Sequence, residues 1–279
     1  MKRILFFVAI FAQLSLAKTP LGFIFFGDAG TGGSDQMEVA QGMQTFCASN
    51  LCEFGLMLGD NFYPAGVSNV NDPQIKAKFE IPYHPLGLDF FVALGNHDYM
   101  SNVDAELEYV KKNSRWKMPS RYYTFVQKNA RFFVLDTEKF DEAQAKWLAN
   151  AIQQSNSQWK IVIGHHPIFS YGAHADNTHL IRNLLPRLKG KTDMYLAGHD
   201  HDLQIIEKDG YPFIVSGAAG KLRPVKSGLG TVYADSKLGF SHLKIEGDKA
   251  HLSMVDKNAK VLFQRTWKKT QDSTIPGNL

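Results

Sequence analysis

Phe54-Gly55-Leu56-Met57-Leu58-Gly59-Asp60-Asn61-Phe62-Tyr63 is the stretch from which the fold can be read. Its first five residues carry no charge and fit a strand buried on both faces. Its last five turn out of a glycine into a carboxylate and then, three residues on, a phenol, so Asp60 and Tyr63 can reach one point in space. Four further stretches repeat this layout of a short apolar run ending in a polar cluster: Gly27-Asp28, Gly95-Asn96-His97-Asp98, Gly164-His165-His166 and Gly198-His199-Asp200-His201. The runs that lead into them, at 21–26, 89–94, 159–163 and 193–197, also read as strands. Five such strand ends predict clusters that converge at the carboxyl edge of an open α/β sheet, where these sheets bind ligands.

Outward from the clusters, helical patterns alternate with the strands. Ser34 caps a helix expected over 34–48, with Met37, Ala40, Met43 and Gln44 at helical spacing. Asp72-Pro73 starts another over 72–79, proline being tolerated in a first helical turn. A helix over 104–112 precedes Arg115-Trp116-Lys117-Met118-Pro119-Ser120-Arg121-Tyr122-Tyr123, which reads either as the lining of a substrate mouth or as a solvated rim. Runs at 122–127 and 131–135 predict a hairpin around Lys128-Asn129-Ala130. Residues 140–154 form an amphipathic pattern with Ala143, Trp147, Leu148 and Ile152 on one side, and 178–188 reads as helix despite Pro186. From Leu203 the pattern shifts to strands, at 203–206, 212–215, 240–245, 251–254 and 261–267. This order predicts an α/β fold, one domain over 18–268, with the C-terminal strands completing a second sheet. No repeat, linker or low-complexity stretch divides it, and 269–279 reads as a polar tail.

Met1-Lys2-Arg3, an uncharged run over 4–17 and the small-residue end Ser15-Leu16-Ala17 have the form of a secretory signal over 1–17. An exported chain starting near Lys18 is expected, because the run is shorter than the ~20 apolar residues of a membrane span. No later stretch is long and apolar enough to be a membrane helix. The formal charge of +4 falls to +2 without Lys2 and Arg3, too weak to imply a nucleic-acid partner. Cys47 and Cys52 are the two cysteines. Five residues of continuous helix rise about 7.5 Å, beyond the ~7 Å that a disulfide spans. A bridge therefore needs the helix to break near Ser49-Asn50; two buried thiols are the alternative. The glycines after Phe26 do not form a P-loop, since no Gly-Lys-Ser/Thr follows them.

The clusters offer oxygen and nitrogen donors without thiolate, a set that suits iron, manganese or zinc better than calcium and is unlike a structural zinc site. Seven such ligands would crowd one ion. Two ions about 3.5–4 Å apart need a carboxylate in common, and Asp60 is the natural bridge. His199 and His201 would point to opposite faces of a regular strand, but in a turn they can splay to two neighbouring ions.

The motifs are Gly-Asp-x-Gly at Asp28, Gly-Asp-x-x-Tyr at Asp60 and Tyr63, Gly-Asn-His-Asp at Asn96, Val-x-x-His ending at His165, and Gly-His-x-His at His199 and His201. In this order they resemble those of the purple acid phosphatases, in particular the small, tartrate-resistant branch of the calcineurin-like metallophosphoesterases. Tyr63 sets that branch apart from the wider group. The resemblance implies a four-layer α/β/β/α sandwich. It also implies Asp28, Asp60, Tyr63 and His201 around a ferric ion, and Asp60, Asn96, His165 and His199 around divalent iron, zinc or manganese. The implied activity is acid phosphatase, cleaving small phosphate monoesters by attack of metal-activated hydroxide. His97 would then touch substrate, Asp98 would orient His97, and His174 would match a second outer histidine. Many members carry an acidic residue just before that histidine, where this chain has Ala173. His166 reads as pocket lining or as structural, and Asn61 and Asp200 as turn or supporting residues. A phosphodiesterase or nucleotidase on the same centre is the nearest alternative, and a catalytically silent scaffold a more distant one.

Overall fold

Strands β1 (Leu21–Phe26), β2 (Phe54–Met57) and β3 (Asp89–Val92) lie side by side in parallel, with the short β4 (Trp116–Lys117) at their edge, in a computed structural model that describes residues 19–269. The expected signal segment and the tail after Lys269 lie outside the described residues. Helices connect the strands: α1 (Ser34–Cys47), then α2 (Pro73–Ile75) and α3 (Ile81–Tyr83) within one helical stretch, then α4 (Val103–Tyr109).

The chain then builds a second sheet. The hairpin of β5 (Tyr123–Gln127) and β6 (Ala130–Val134) is followed by α5 (Glu142–Gln153), β7 (Trp159–Ile163), α6 (Thr178–Asn183), α7 (Leu185–Leu188) and β8 (Met194–Ala197). β9 (Leu203–Lys208), β10 (Tyr211–Ser216) and β11 (Thr231–Asp235) complete it, in the order β11-β9-β10-β8-β7-β6-β5. The last strands, β12 (Gly239–Glu246), β13 (Lys249–Asp256) and β14 (Val261–Lys268), return to the first sheet, whose order is β14-β13-β12-β1-β2-β3-β4.

That return corrects the expectation that all C-terminal strands belong to the second sheet. β12 pairs antiparallel with β1, and its outer face is covered by α1: the Phe46 and Phe240 rings lie 5.7 Å apart edge to face. A strand whose side chains fit under α1 must sit in the sheet that α1 covers.

The two sheets face each other across an aromatic core. Phe23 stacks on Phe54 at 4.9 Å, and Phe132 of the second sheet meets both edge-on at 5.3 and 5.5 Å. In the second sheet the period of two separates the faces: Phe132, Val134, Ile161, Ile163, Met194 and Leu196 join this core, while Phe133, Val162 and Tyr195 pack with Leu148, Leu180 and Leu188 of α5–α7. With α1 and α3 outside the first sheet, this is the expected four-layer sandwich.

Local departures have physical causes. Helix α1 buries Val39, Ala40, Met43 and Phe46, whereas Met37 is exposed, and its N-cap is Gly33 rather than Ser34. The helix expected over 72–79 begins as foreseen, with the Asp72 side chain accepting from Gln74 N, but continues through a π turn at Lys76–Glu80. Pro82 has no N–H to offer the Lys78 carbonyl, which instead accepts from Gln36 Nε2 at 2.6 Å. Similarly, the helix around Pro186 breaks at Leu184 into α6 and α7. Within 115–123, Trp116 and Met118 are buried in the core, while Arg115 Nη1 donates to the His84 carbonyl at 3.1 Å and Arg121 Nη2 to Asp104 Oδ1 at 2.7 Å. Helix α1 ends at Cys47, and the chain turns at 48–50, where Asn50 Nδ2 donates to Phe46 O at 2.9 Å. That break brings Cys47 and Cys52 to a Cα separation of 5.5 Å, in a disulfide.

Candidate metal centre

All five polar clusters leave the carboxyl ends of parallel strands, β1, β2 and β3 in one sheet and β7 and β8 in the other. The sheets are tied together at this end, where Gly27 N donates to Ser216 O at 2.7 Å and Ser216 Oγ to Phe25 O at 3.2 Å. Two glycines permit the approach of the loops. A Cβ on Gly59, whose φ is +92°, would lie 2.7 Å from His165 Nδ1, and one on Gly95 would lie 2.3 Å from Asp60 Oδ1. Asp28, Asp60 and His199 have φ of 59°, 54° and 68°, a left-handed region that few side chains other than Asn, Asp and His enter.

The donor atoms fall into two groups that share Asp60. In the first, the Tyr63 hydroxyl lies 3.0 Å from Asp28 Oδ1, 2.8 Å from Asp60 Oδ2 and 3.2 Å from His201 Nε2, with His201 Nε2 3.5 Å from Asp28 Oδ1. In the second, His165 Nε2 lies 3.5 Å from Asp60 Oδ1, 3.2 Å from Asn96 Oδ1 and 3.1 Å from His199 Nδ1. Ligands about 2.1 Å from one ion stand about 3.0 Å apart at right angles and about 3.4 Å apart in a tetrahedron. Both groups have that spacing. His165 Nδ1 lies 2.8 Å from the Leu58 carbonyl, to which it donates; its Nε2 is then the bare nitrogen, a tautomer set as metal-ligating histidines usually are.

The charges fit a cation as well. Burial, and then the charge of Asp60, hold the Asp28 carboxyl well above the usual carboxylate range, and burial with Asp28 and Asp60 pushes the Tyr63 phenol up. Burial followed by His166 lowers His165, and burial followed by His165 lowers His199. His201 is lowered to about 4, by burial first and then by Arg223 and Lys221. Buried carboxylates without a cationic partner are costly, and neutral imidazoles are the form that ligates metals.

The remaining residues take distinct places. His97 Nδ1 donates to Pro64 O at 2.6 Å, its Nε2 is 3.9 Å from Asp60 Oδ2, and its ring is 4.4 Å from that of Tyr63. His174 lies with its ring 4.0 Å from His199. His166 stands 4.5 Å from the His199 ring, with Nδ1 3.0 Å from Thr137 Oγ1. Asp98 does not orient His97. Its Oδ1 accepts from Asn61 N (2.9 Å) and Phe62 N (3.3 Å), and its Oδ2 from Gly95 N (2.7 Å) and Asn61 Nδ2 (3.0 Å). A single turn of 3-10 helix at Asp98–Met100 tucks this side chain under the loops, where it clasps the one carrying Asp60 to the one carrying Asn96. Lys221, Arg223 and Glu106 had no signal in the sequence: the first two stand in an unpatterned loop between β10 and β11, and the third reads as an ordinary helix-surface acid.

Parallel strands of two sheets delivering Asp, Asn and His to one donor set define the class, and the calcineurin-like phosphoesterase family matches residues 10–203. Purple acid phosphatase 7 of Arabidopsis thaliana is 33% identical over 89% of this chain and 86% of its own length. Tartrate-resistant acid phosphatase type 5 of Mus musculus is 31% identical over 81% of each chain. The chain belongs to the purple acid phosphatase family. A solved structure, "GAP50 the anchor in the inner membrane complex of Plasmodium", is similar with a TM-score of 0.82 over 91% of this chain and 90% of that one, at 23% identity. That likeness shows a shared fold, and a fold alone does not fix activity.

Proposed function

We propose that this chain is an exported acid phosphatase that hydrolyses small phosphate monoesters at a dinuclear metal centre. Asp28, Asp60, Tyr63 and His201 hold a ferric ion, and Asp60, Asn96, His165 and His199 hold a divalent iron, zinc or manganese ion. The observation that carries this reading is the division of Asp60, with Oδ2 2.8 Å from the Tyr63 hydroxyl and Oδ1 3.5 Å from His165 Nε2. One carboxylate thus serves both donor groups. When bound, the two cations supply Lewis acidity, neutralising phosphoryl charge and making water a nucleophile in acid.

The protein's own part is to hold and to donate. His97, fixed through Nδ1 by the Pro64 carbonyl, turns Nε2 towards the Asp60 side of the site. His174 flanks the site beside His199. The His97 imidazole is placed to donate a hydrogen bond to phosphate or a proton to the leaving oxygen, whereas His174 Nε2 accepts from the Arg223 guanidinium and leaves Nδ1 as the donor of that ring. Asp98 keeps the ligand loops in register. The form of residues 1–17 supports export, as does the disulfide, which persists in oxidising compartments.

The test is purification with metal quantification, a visible spectrum and a 4-nitrophenyl phosphate assay across pH. Iron, a visible charge-transfer band and release in acid are expected. Tyr63→Phe should shift or abolish the band. A band that survives that change refutes the ferric–tyrosine assignment, and a metal-free protein that releases nothing at any pH refutes the enzyme.

A further inference from the structure

We propose that Lys221 and Arg223 form an anion subsite on the lip of the metal centre, which takes a second negatively charged group carried on the leaving side of the phosphate substrate. The inference rests on the phosphatase reading and deepens it by naming a substrate class: phosphate esters or anhydrides whose leaving group bears a carboxylate or a further phosphate.

Both side chains face the donor set. Lys221 Nζ stands 4.1 Å from the centre of the Tyr63 ring. Arg223 Nη1 contacts His174 Nε2, and the His174 ring is 4.0 Å from His199. The two cations therefore flank both donor groups, one over the tyrosine and one beyond the outer histidine.

The loop that carries them is anchored on each side of Arg223. Its N–H donates to the His201 carbonyl at 2.9 Å, and its carbonyl accepts from Ser236 Oγ at 2.8 Å. Further along, the Lys226 N–H donates to the Tyr171 carbonyl at 3.0 Å, and the Tyr171 hydroxyl donates to the Leu229 carbonyl at 2.6 Å. The cations are thus held on the lip by the backbone and do not reach it on a free arm.

Neither has an anionic partner. Among the described residues, no carboxylate lies within ion-pair distance of Lys221 or Arg223, whereas Lys189, Lys257 and Lys269 are each paired, with Asp209, Glu38 and Asp193. Asp200, which stands beside His174 in the fold, is buried and already accepts from His174 N at 3.0 Å and from the Ser170 hydroxyl, and Asp235 is paired with Lys237 at 3.0 Å. Ala173 and Ala175 on either side of His174 bring no charge. In the proposed centre Asp28, Asp60, Tyr63 and the substrate phosphate offset the metal ions. Lys221 and Arg223 remain, two positive charges facing the donor set with no carboxylate partner among the described residues, a local excess that attracts a further anion.

The experiment measures binding by calorimetry of three non-hydrolysable ligands that share a phosphonate: methylphosphonate, phosphonoacetate and methylenediphosphonate. It uses the metal-loaded protein, Lys221→Met, Arg223→Gln and the double variant, all with metal content measured. The wild type should prefer the two ligands that carry a second anionic group, and the double variant should lose that preference on the order of tenfold, a difference of about 1.4 kcal/mol. Each single variant should lose part of it, and added salt should erode it in the wild type. Loss confined to phosphonoacetate identifies a carboxylate site, and loss confined to methylenediphosphonate a phosphate site. A preference unchanged in the double variant with metals retained overturns the subsite. If substitution at Arg223 reduces metal content, Lys221→Met alone decides by the same criterion. Nitrophenol release by the wild type is read in parallel. Release with no preference lost overturns the subsite alone, whereas preference without release overturns the phosphatase reading and leaves the subsite standing.

Discussion

Glu106→Gln should make the protein more stable at neutral pH, by an amount that grows with pH. The Glu106 side chain is 1% exposed, and neither of its oxygens has a hydrogen-bond partner. Burial first, and then the charge of Asp98, hold its carboxyl well above the ordinary glutamate value of 4.5, against a weaker downward pull from the Asn61 side chain. Asn61 Oδ1 also lacks a partner, because the amide nitrogen is committed to Ala93 O at 2.9 Å and Asp98 Oδ2 at 3.0 Å. A carboxyl that keeps its proton supplies the donor this cluster lacks, and glutamine has the same shape with no proton to keep. The folded state binds that proton more tightly than the unfolded chain, so this contribution to stability is complete below pH 4.5 and is lost as pH rises towards the raised folded value. Between those two values the loss runs at about 1.4 kcal/mol per pH unit. Glu106→Gln carries no such slope. Urea unfolding followed by tryptophan fluorescence, with chelator present for both proteins, should show curves that meet near the ordinary glutamate value and diverge as pH rises, by about 1.4 kcal/mol per pH unit until the raised folded value is reached. A gap that stays constant with pH, or a variant less stable than wild type at neutral pH, would refute the neutral carboxyl.

Three further outcomes follow from the same geometry. Asp98→Asn leaves two buried donors facing an amide, each worth about 1–3 kcal/mol when unsatisfied. It should lower stability by about 4 kcal/mol and reduce bound metal, read from urea midpoints and metal content; a stable variant with only an altered pH–rate profile would return Asp98 to a role on His97. Replacing both Cys47 and Cys52 by alanine opens a loop of sequence separation 5. It should cost about 2 kcal/mol by the chain-entropy estimate, visible as a lower Tm with metal content unchanged. His97→Ala and His174→Ala should depress turnover of 4-nitrophenyl phosphate while metal content holds, and loss of metal in either would mean a misassigned ligand.

What could be read from the sequence was whatever depends on near neighbours. An apolar run closed by Gly-Asp or Gly-His states both that a strand is buried and that it ends, so β1, β2, β3, β7 and β8 and their seven donors were visible. The condition for the disulfide was visible too, since it turns on one helix break. Sheet membership of β12 was not, because it is decided by Phe240 meeting Phe46, residues far apart in the chain. The π turn at Lys76–Glu80 is accompanied by a contact of Gln36 with the Lys78 carbonyl, across a sequence separation of 42. Asp98 misled because adjacency to His97 suggests contact, while a turn of 3-10 helix aims the two side chains apart. Lys221 and Arg223 occupy a loop whose course is set by hydrogen bonds to His201 and Tyr171, which no periodicity records.

Asp28, Asp60 and His199, whose φ angles are all positive, have a consequence for engineering. A side chain held in that backbone region costs roughly 1–2 kcal/mol relative to the ordinary one, and glycine would be at ease at each position. At Asp28 and Asp60 that relief is set against the loss of buried acceptors, since His199 N donates to Asp28 Oδ2 at 2.7 Å and His97 N to Asp60 Oδ1 at 2.8 Å, so heat resistance alone exerts little pressure to keep or to erase these donors. Thermostabilisation of this scaffold is better directed at Lys128, Ala175, Asp209 and Ala259, which share the positive φ but lie outside the donor set, and an activity or metal-retention gate at every round would guard the three donors.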